Sequence, residues 1–342
     1  MNITIVDVAQ KAGVSKTTVS RIINNQYGHT TEETRQRVLN VIKELDYRPN
    51  ALAKGLKSMQ TNVIGMVLSN LKNPFWSSVL EGVEDACRGL GYHLMICNSD
   101  EEPSKEEQYI REFRMRQVDG IVINPTARNP GFFRSLVESR YPLVVLNRRI
   151  PGIAVNNVVI NNIQGASMAV RHLLDNGRKK IAAFAYRNEY VSTWLERIEG
   201  YRLALLDNGF TPEDYRIVES EQESGRIKEA VIRFLREYPD TDAVFSTNNM
   251  VTLEVMDGIR ELNLRIPDDV AVVGYDETVW SKHLNPPLTT IQQPGYRLGR
   301  IAAEMLIKAI KAKKPAKPKT VVLEPALIIR ESSGRARSGK TL

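Results

Sequence analysis

The sequence predicts an α/β fold in which a small all-α domain precedes a body of two doubly wound parallel-sheet subdomains. Two observations carry this prediction. Short helical patterns fill residues 1–48, whereas apolar strands alternate with amphipathic helices from about residue 61. With 342 residues, of which 42% are apolar, the chain can form two or three domains with real cores. Its composition excludes a mainly disordered chain, and no apolar run approaches the length of a membrane span.

The helices of the first domain are predicted from their caps and apolar stripes. Thr4 is a good N-cap for a helix over residues 5–12, and Ser15 for a second helix over 16–24, with a glycine between them. A third helix is expected over 31–45. Its inward side chains are expected to be Val38, Leu39, Val41, Ile42 and Leu45. Two short helices joined by a glycine turn, the second with a polar outer face, form a helix-turn-helix that fits the DNA major groove.

The charge is distributed unevenly along the chain. Residues 1–60 carry a net charge of +4 and residues 308–342 carry +8, so the segment between them carries −5 of the total of +7. Basic segments favour polyanions, and nucleic acid first. The basic C-terminal segment, which ends in a tail over residues 333–342, is interpreted first as a solubilising surface, because KAIKAKKPAKPK is typical of a helix end and a Pro-broken loop.

Two N-terminal segments, TIVDVAQKAGVSKTTVSRIIN and TRQRVLNVIKELDYRPNALAKGL, resemble the headpiece of the LacI/GalR family of bacterial repressors. The resemblance implies a DNA-binding headpiece over residues 1–48. It also implies a hinge over 49–60 that becomes helical only on DNA and enters the minor groove, with Leu56 as a wedge between base steps. The DNA-binding residues that it implies face bases (Lys16, Thr17, Arg21), hold phosphates or cap helices (Thr4, Ser15, Thr18, Ser20), or belong to the hinge (Ala53, Leu56, Lys57).

In the body, continuous apolar strands alternate with helices in two sets, which begin near residues 61 and 155. This alternation predicts parallel sheets covered by helices on both faces. Two sets supply too many strands for one modest sheet, so two similar subdomains are expected. Their ligand crevice is expected at the carboxyl ends of the strands.

Six motifs extend the resemblance to the effector domain of the same family, which is related to periplasmic sugar-binding proteins. They are NPFW, VDGIVINP, HLLDNGRKKIA, ERIEGYRLAL, VGYDE and PPLTTIQQP, within residues 61–332. The resemblance implies that the chain crosses three times between subdomains. It divides the body into an N-subdomain (61–161 and 292–320) and a C-subdomain (162–291 and 321–332).

The resemblance also implies a set of effector-binding residues, most of them at predicted strand ends. They are Phe75, Trp76, Asn124, Arg148, Asn161, Thr193, Arg197, Asn248, Asn249, Asp276 and Gln293. An aromatic ring can lie against the apolar face of a sugar while amides and charged groups bind its hydroxyls. Core packing at the start of a helix is the alternative role for the two aromatic residues.

Three amides indicate the chemistry of the effector. Neutral-sugar members of the family often have Asp where this chain has Asn147, Asn161 and Asn249. Three arginines stand nearby: Arg148, Arg149 and Arg197. Fewer carboxylates and a retained guanidinium favour an anion, because arginine can hold a carboxylate in a bidentate fork. We therefore expect an acidic sugar, such as a uronate-derived acid, and the closest resemblance is to regulators of 2-keto-3-deoxygluconate use.

Enzyme functions find little support in the sequence. Residues 334–341 formally match a phosphate-binding loop, but only one residue follows where a helix is needed. The four histidines have no metal-ligand spacing, and no nucleophile elbow is present, so neither metal nor cofactor is expected. Paired loop carboxylates such as Glu101 and Glu102 are interpreted as solvated charges.

The sequence thus predicts a repressor rather than an enzyme. Because one headpiece makes too few base contacts, a homodimer on a near-palindromic operator is expected, with its affinity switched by the effector. No secretory signal is recognisable, so a cytoplasmic location is expected. The alternatives left open are a sugar- or sugar-acid-binding protein, a global carbon-catabolite regulator of the same family, and an α/β enzyme such as a sugar-acid kinase.

Overall fold

The computed structural model describes residues 3–28, 30–47, 60–187 and 189–334. The hinge residues Ala53, Leu56 and Lys57 lie outside the described residues. So does all but the first residue of the phosphate-loop-like segment. The chain forms two compact units, Met1–Thr61 and Asn62–Leu342.

The N-terminal unit contains three helices within its described residues: α1 (Ile5–Ala12), α2 (Lys16–Ile23) and α3 (Glu32–Glu44). All three predicted helices are confirmed to within one residue at each end. Between α1 and α2, Gly13 has a φ of 65°, a left-handed conformation that favours glycine. The N-terminal domain is therefore a helix-turn-helix followed by a third helix.

Side-chain caps fix where the first two helices begin. The backbone N of Thr4 donates a hydrogen bond of 2.7 Å to Asp7, whose side chain completes a reciprocal capping box. The Ser15 hydroxyl accepts a hydrogen bond of 3.1 Å from the backbone N of Thr18. In α3 the predicted inward position of Leu39 is wrong, because this side chain is 37% exposed.

The first sheet of the body is wholly parallel, with strand order β11–β5–β4–β3–β1–β2. Its strands are β1 (Val63–Leu68), β2 (His93–Asn98), β3 (Gly120–Ile123), β4 (Leu143–Leu146), β5 (Asn156–Ile160) and β11 (Thr320–Leu323). Four helices cover it: α4 (Phe75–Gly89), α5 (Pro103–Met115), α6 (Pro130–Glu138) and α11 (Gly295–Lys311). One buried cluster joins the sheet to α4 and α11, and another joins it to α5 and α6, so both faces are covered.

Two glycines allow α4 and α11 to pack closely. A Cβ atom at Gly82 would lie 2.0 Å from the backbone oxygen of Tyr296. One at Gly299 would lie 2.1 Å from the backbone oxygen of Val79. Any side chain at either position would separate the helices, so this face of the sheet depends on both glycines.

The second sheet is parallel except at one edge, with strand order β12–β10–β9–β8–β6–β7. Its strands are β6 (Ile181–Tyr186), β7 (Arg216–Ser220), β8 (Ala243–Ser246), β9 (Ala271–Tyr275), β10 (Thr289–Gln292) and β12 (Ala326–Ile328). Four helices cover its two faces: α7 (Asn162–Asp175), α8 (Ser192–Asp207), α9 (Arg226–Glu237) and α10 (Asn249–Glu261). The edge strand β12 runs antiparallel to β10, which the prediction of purely parallel sheets missed.

The chain passes between the two sheets three times: after β5, after β10 and after β11. The third crossing falls later than predicted, because β11 remains in the first sheet through Leu323 rather than ending at residue 320. Leu323 pairs with Ile160 and is buried, so its contribution to the core explains the extra residues. No helix in the described part of the chain is long and apolar enough to cross a membrane.

Candidate functional site

The exposed face of α2 is the candidate nucleic-acid surface. Val19 and Ile22 are buried against the other helices, which fixes the opposite face outward. Lys16, Thr17 and Arg21, the predicted base-facing residues, are all exposed. The helix therefore presents two cations and a hydroxyl to solvent, in the pattern that a major-groove helix needs.

Four residues, Thr4, Ser15, Thr18 and Ser20, were expected to cap helices or hold phosphates. Thr4 and Ser15 have the capping bonds described above, and the Ser15 and Thr18 hydroxyls lie 2.9 Å apart. Ser20 is partly buried, and its backbone oxygen accepts a bond from Asn24. The capping role is thus accounted for by contacts within the unit.

The body contains a cleft at the carboxyl ends of both sheets, with about 520 Å³ of empty space that is partly open to solvent. Its lining combines aromatic rings, amides and charged groups. The lining residues are Ser69, Asn70, Asn73, Phe75, Trp76, Glu101, Asn147, Arg148, Tyr186, Thr193, Trp194, Arg197, Gln222, Asn248, Met250, Asp276 and Gln293. Aromatic surface beside convergent polar groups is typical of a small-molecule site.

Eight of the predicted effector residues line this cleft: Phe75, Trp76, Arg148, Thr193, Arg197, Asn248, Asp276 and Gln293. The other three, Asn124, Asn161 and Asn249, are not among its lining residues, and their role in effector binding stays a prediction. Asn124 is fully buried and bonds to Ser69 and to the backbone oxygen of Leu146, so it ties β1 to β4 beneath the cleft.

The other two amides, those of Asn161 and Asn249, form hydrogen bonds with neighbouring residues. Asn161 caps α7 by accepting a bond of 3.2 Å from the backbone N of Gln164, and it donates to Glu324 at 3.1 Å. Asn249 donates a bond of 2.9 Å to Asn73, so it supports a lining residue from behind. Neither residue is among the lining residues, and the Oδ1 atom of Asn249 has no hydrogen-bond partner within the described residues.

Arg148 is paired with a loop carboxylate, that of Glu101. Its Nη2 and Nη1 atoms donate to the two carboxylate oxygens of Glu101 at 2.6 and 2.8 Å. The Glu101 side chain is only 16% exposed, so its interpretation as a solvated loop charge is wrong. Burial alone would raise the pKa of Glu101, but the charge and hydrogen bonds of Arg148 outweigh it and lower the pKa below its usual value.

A second carboxylate lies behind this ion pair. Glu106 is 1% exposed and accepts hydrogen bonds from the backbone N of Thr126 at 2.7 Å and from its hydroxyl at 3.0 Å. Burial raises the pKa of Glu106 to about 7, although the Thr126 bonds and the charge of Arg148 oppose the shift. Glu106 thus fixes the segment that carries Pro125, whose oxygen accepts a bond of 2.8 Å from Arg148.

Arg197 is held differently on the other side of the cleft. It donates to Asn162 at 3.0 Å and to the backbone oxygen of Thr247 at 2.6 Å. Its guanidinium carbon lies 3.7 Å from the centroid of the Tyr275 ring. None of its hydrogen-bond partners among the described residues is a carboxylate, which distinguishes it from Arg148, whose guanidinium pairs with Glu101.

Two buried amide oxygens of the cleft have no hydrogen-bond partner within the described residues. They are Oδ1 of Asn147 and Oε1 of Gln293. The Nε2 atom of the same Gln293 bonds to Asp276, so its free oxygen is held in a fixed orientation. Unsatisfied buried acceptors carry a free-energy cost, and a ligand hydroxyl that donates to them would remove it.

The aromatic residues combine both roles considered for them. Phe75 and Trp76 belong to the core of the first subdomain and also line the cleft. Their rings meet edge to face with centroids 5.2 Å apart. Tyr186 and Trp194 form a tilted pair at 5.6 Å across from them. The cleft thus has an aromatic surface on each side.

Direct contacts join the two subdomains beside the cleft. Asn249 bonds to Asn73, as described above, and Arg149 makes two more contacts. Its backbone N donates to Ser192 at 3.0 Å and its Nε donates to Glu196 at 3.2 Å. In the described part of the chain, no cluster of three His, Cys, Asp or Glu side chains could hold a metal ion.

A helix-turn-helix unit, joined in one chain to a two-sheet body with a polar and aromatic cleft, defines a ligand-responsive DNA-binding regulator. Residues 4–50 match the model of bacterial regulatory proteins of the lacI family. Residues 61–330 match that of periplasmic binding proteins and the sugar-binding domain of the LacI family. The chain belongs to the LacI family.

Two curated relatives and one solved structure agree with this assignment. The HTH-type transcriptional regulator KdgR of Bacillus subtilis is 33% identical over 96% of this chain and 97% of its own length. The HTH-type transcriptional repressor PurR of Photobacterium profundum is 33% identical over 96% and 98%. A lac repressor dimer bound to operator and the anti-inducer ONPF is 25% identical over 98% of this chain and all of that chain, with a TM-score of 0.86. The protein is a DNA-binding transcriptional repressor of this family and not an enzyme.

Proposed function

We propose that an acidic sugar, such as 2-keto-3-deoxygluconate or a uronate-derived sugar acid, switches the affinity of this repressor for its operator. The observation that carries the proposal is the buried guanidinium group of Arg148 in a cleft of sugar size, with a second buried guanidinium, that of Arg197, on the opposite side. Arginine binds a carboxylate through two parallel hydrogen bonds, and the low dielectric of a cleft strengthens that pairing.

The remaining lining fits the sugar part of such a ligand. The aromatic rings of Phe75 and Trp194 offer apolar surface to a sugar ring. The free oxygens of Asn147 and Gln293 offer acceptors to its hydroxyls. Overall sequence identity does not select an effector, since relatives named KdgR and PurR are equally similar, so the chemistry of the cleft decides.

For the operator, we propose that α2 of each of two protomers enters a major groove of a near-palindromic site. Three residues of α2 would contact bases: Lys16, Thr17 and Arg21. Phosphate contacts are proposed for Thr4, Ser15, Thr18 and Ser20, and minor-groove contacts for Ala53, Leu56 and Lys57. A homodimer doubles the base contacts of one headpiece. Because a repressor acts on DNA inside the cell, we propose a cytoplasmic location.

The proposed switch uses the two subdomains of the body. A ligand bound between Arg148 on one side and Arg197 on the other would hold the cleft closed. Because the ligand would bind the closed body more tightly than the open one, it would shift the body toward the closed state. This shift would change the affinity for the operator. For a repressor of catabolic genes, the expected sign is release of the operator when the ligand binds.

Calorimetry with purified full-length protein tests the effector proposal. The titrants are gluconate-type acids, 2-keto-3-deoxygluconate first, each beside its neutral parent sugar. We expect saturable binding of an acid and much weaker binding of the neutral sugar. Preference for the neutral sugar would overturn the proposal.

A mobility-shift assay with Leu56→Ala tests the hinge assignment. The substitution removes the wedge proposed for the minor groove, so we expect markedly weaker operator binding with unchanged effector binding. Equal operator affinity in the variant and the wild type would refute this assignment.

A further inference from the structure

The charges of the cleft pose a problem for an acidic ligand. Its described lining holds two guanidinium groups, of Arg148 and Arg197, and two carboxylates, of Glu101 and Asp276. The formal net charge of the lining is therefore zero. The guanidinium edge that suits a ligand carboxylate, on Arg148, is already filled by Glu101.

The two partners of this ion pair are held unequally. Arg148 has a second anchor in the oxygen of Pro125, and the neighbouring Thr126 is fixed twice by the buried Glu106. The guanidinium would therefore keep its position without Glu101.

Glu101 belongs to a loop in an unfavourable backbone conformation. Asp100 and Glu101 have φ values of 51° and 59°, both in the left-handed region that non-glycine residues rarely adopt. Such strain persists only where surrounding contacts impose it. The contacts of Glu101 that impose it include the bidentate pair and a backbone bond of 2.8 Å to Ser69.

We propose that Glu101 is the selectivity residue of the cleft: its carboxylate occupies on Arg148 the position that the carboxylate of the effector takes, and the effector binds by displacing it. This inference rests on the proposed acidic effector and explains how the cleft rejects other sugars. An acid replaces one carboxylate by another, so Arg148 stays paired. A neutral sugar has no charge that could replace the counter-ion of Arg148, so it binds without displacing Glu101 and makes no contact with this edge of the guanidinium.

A second cation, Arg128, is available to the carboxylate of Glu101 after it leaves Arg148. Arg128 is exposed and close enough for its charge to act on Glu101. Its guanidinium carbon lies 5.6 Å from the ring centroid of Tyr190, in the other subdomain. A Glu101 side chain that leaves Arg148 can therefore turn toward a second cation, that of Arg128.

The test compares Glu101→Gln with a matched control, Glu102→Gln, in the full-length protein. Glu102 is the next residue, is exposed and pairs with Lys105 at 2.7 Å outside the cleft. By calorimetry, Glu101→Gln removes the competing carboxylate, so we expect its affinity for 2-keto-3-deoxygluconate to rise about tenfold or more over the wild type. The affinity for the neutral parent sugar is expected to rise far less, and the control to match the wild type for both.

Two results would overturn the inference. Weaker acid binding by Glu101→Gln would mean that Glu101 contacts the ligand directly. An equal gain for acid and neutral sugar would mean that the substitution merely opens the cleft. The proposed function is judged separately, by whether the wild type itself prefers the acid, so the two failures are distinguishable.

A second variant guards against misfolding of the first. Glu101→Asp keeps the charge but shortens the side chain by one methylene, which weakens the bidentate pair with Arg148. We expect this variant to bind the acid more tightly than the wild type, by a smaller factor than Glu101→Gln does. Thermal melting with and without the acid checks folding, and a larger ligand-induced rise in Tm for the variants than for the wild type supports the exchange.

Discussion

Two arginines on opposite sides of the same cleft differ in what holds them. Arg148 faces a carboxylate, Glu101, in a bidentate pair. Arg197 is fixed by an amide, a backbone oxygen and the ring of Tyr275. A charge that faces a replaceable counter-ion can discriminate between ligands, whereas a charge built into the packing mainly supports the site. Substitutions of these two arginines, of Glu106 and of Arg149 test this difference.

The largest effect is expected from Arg148→Ala. The effector carboxylate would lose its proposed bidentate partner, which corresponds to about 3 kcal/mol, or roughly a hundredfold in affinity for the acid. Calorimetry measures this loss, and operator binding without effector is expected to persist in a mobility-shift assay. Arg148→Lys is the matched control, because lysine keeps the positive charge but cannot form two parallel hydrogen bonds to a carboxylate. Its affinity for the acid should lie between those of the wild type and Arg148→Ala. An unchanged response to the acid would remove Arg148 from the site.

Arg197→Ala is expected to act on stability and without discrimination between ligands. It would leave the Thr247 oxygen and the Asn162 amide unpartnered and remove the guanidinium from the Tyr275 ring. A loss of about 2–3 kcal/mol in the free energy of unfolding is expected, measured by urea denaturation. Affinity for acid and neutral sugars should fall by similar factors. A loss confined to the acid would assign to Arg197 the role proposed here for Arg148.

Glu106→Gln tests the buried support of Arg148 through its pH dependence. The pKa of Glu106 is raised from 4.5 to about 7, so the folded state binds a proton that the unfolded chain has lost between these values. This contribution to stability is fully present below pH 4.5 and decreases as the pH rises toward 7, by a total on the order of 3 kcal/mol. Unfolding at several pH values should show that decrease in the wild type and not in the variant. Parallel curves would contradict it.

The smallest effect is expected from Arg149→Ala. This neighbour of Arg148 pairs with Glu196 across the cleft, but its side chain is 44% exposed. Exposed ion pairs contribute about 0–1 kcal/mol, so stability and acid affinity should change little. A loss of acid affinity as large as that of Arg148→Ala, measured by the same calorimetry, would contradict this. It would mean that Arg149, which does not pair with Glu101, contributes as much to acid binding as Arg148.

Local patterns were sufficient to predict the helix-turn-helix and the crevice at the strand ends, whereas the individual cleft residues were implied by the resemblance to the family. Thr4 and Ser15 are capping residues whose partners lie three positions away, so the sequence itself contains the signal. Asp276 and Gln293 follow neighbouring strands of a parallel sheet, and the carboxyl ends of such strands meet at one edge.

Glu101 could not be predicted in this way. Its partner is 47 residues distant, and a loop carboxylate gives no local sign of burial. Asn161 was predicted in the cleft although its spacing to Gln164 also fits a helix cap, which is the contact it makes. In both cases the side chain has chemistry for two roles, and only tertiary contacts decide between them.

The most direct test of effector control measures the operator affinity of the full-length protein by mobility shift. The measurement is made as 2-keto-3-deoxygluconate, or its neutral parent sugar, is added. We expect the acid to weaken operator binding in a saturable manner, the neutral sugar to leave it unchanged, and Arg148→Ala to abolish the response. Release by the neutral sugar, or an undiminished response of Arg148→Ala to the acid, would contradict this expectation.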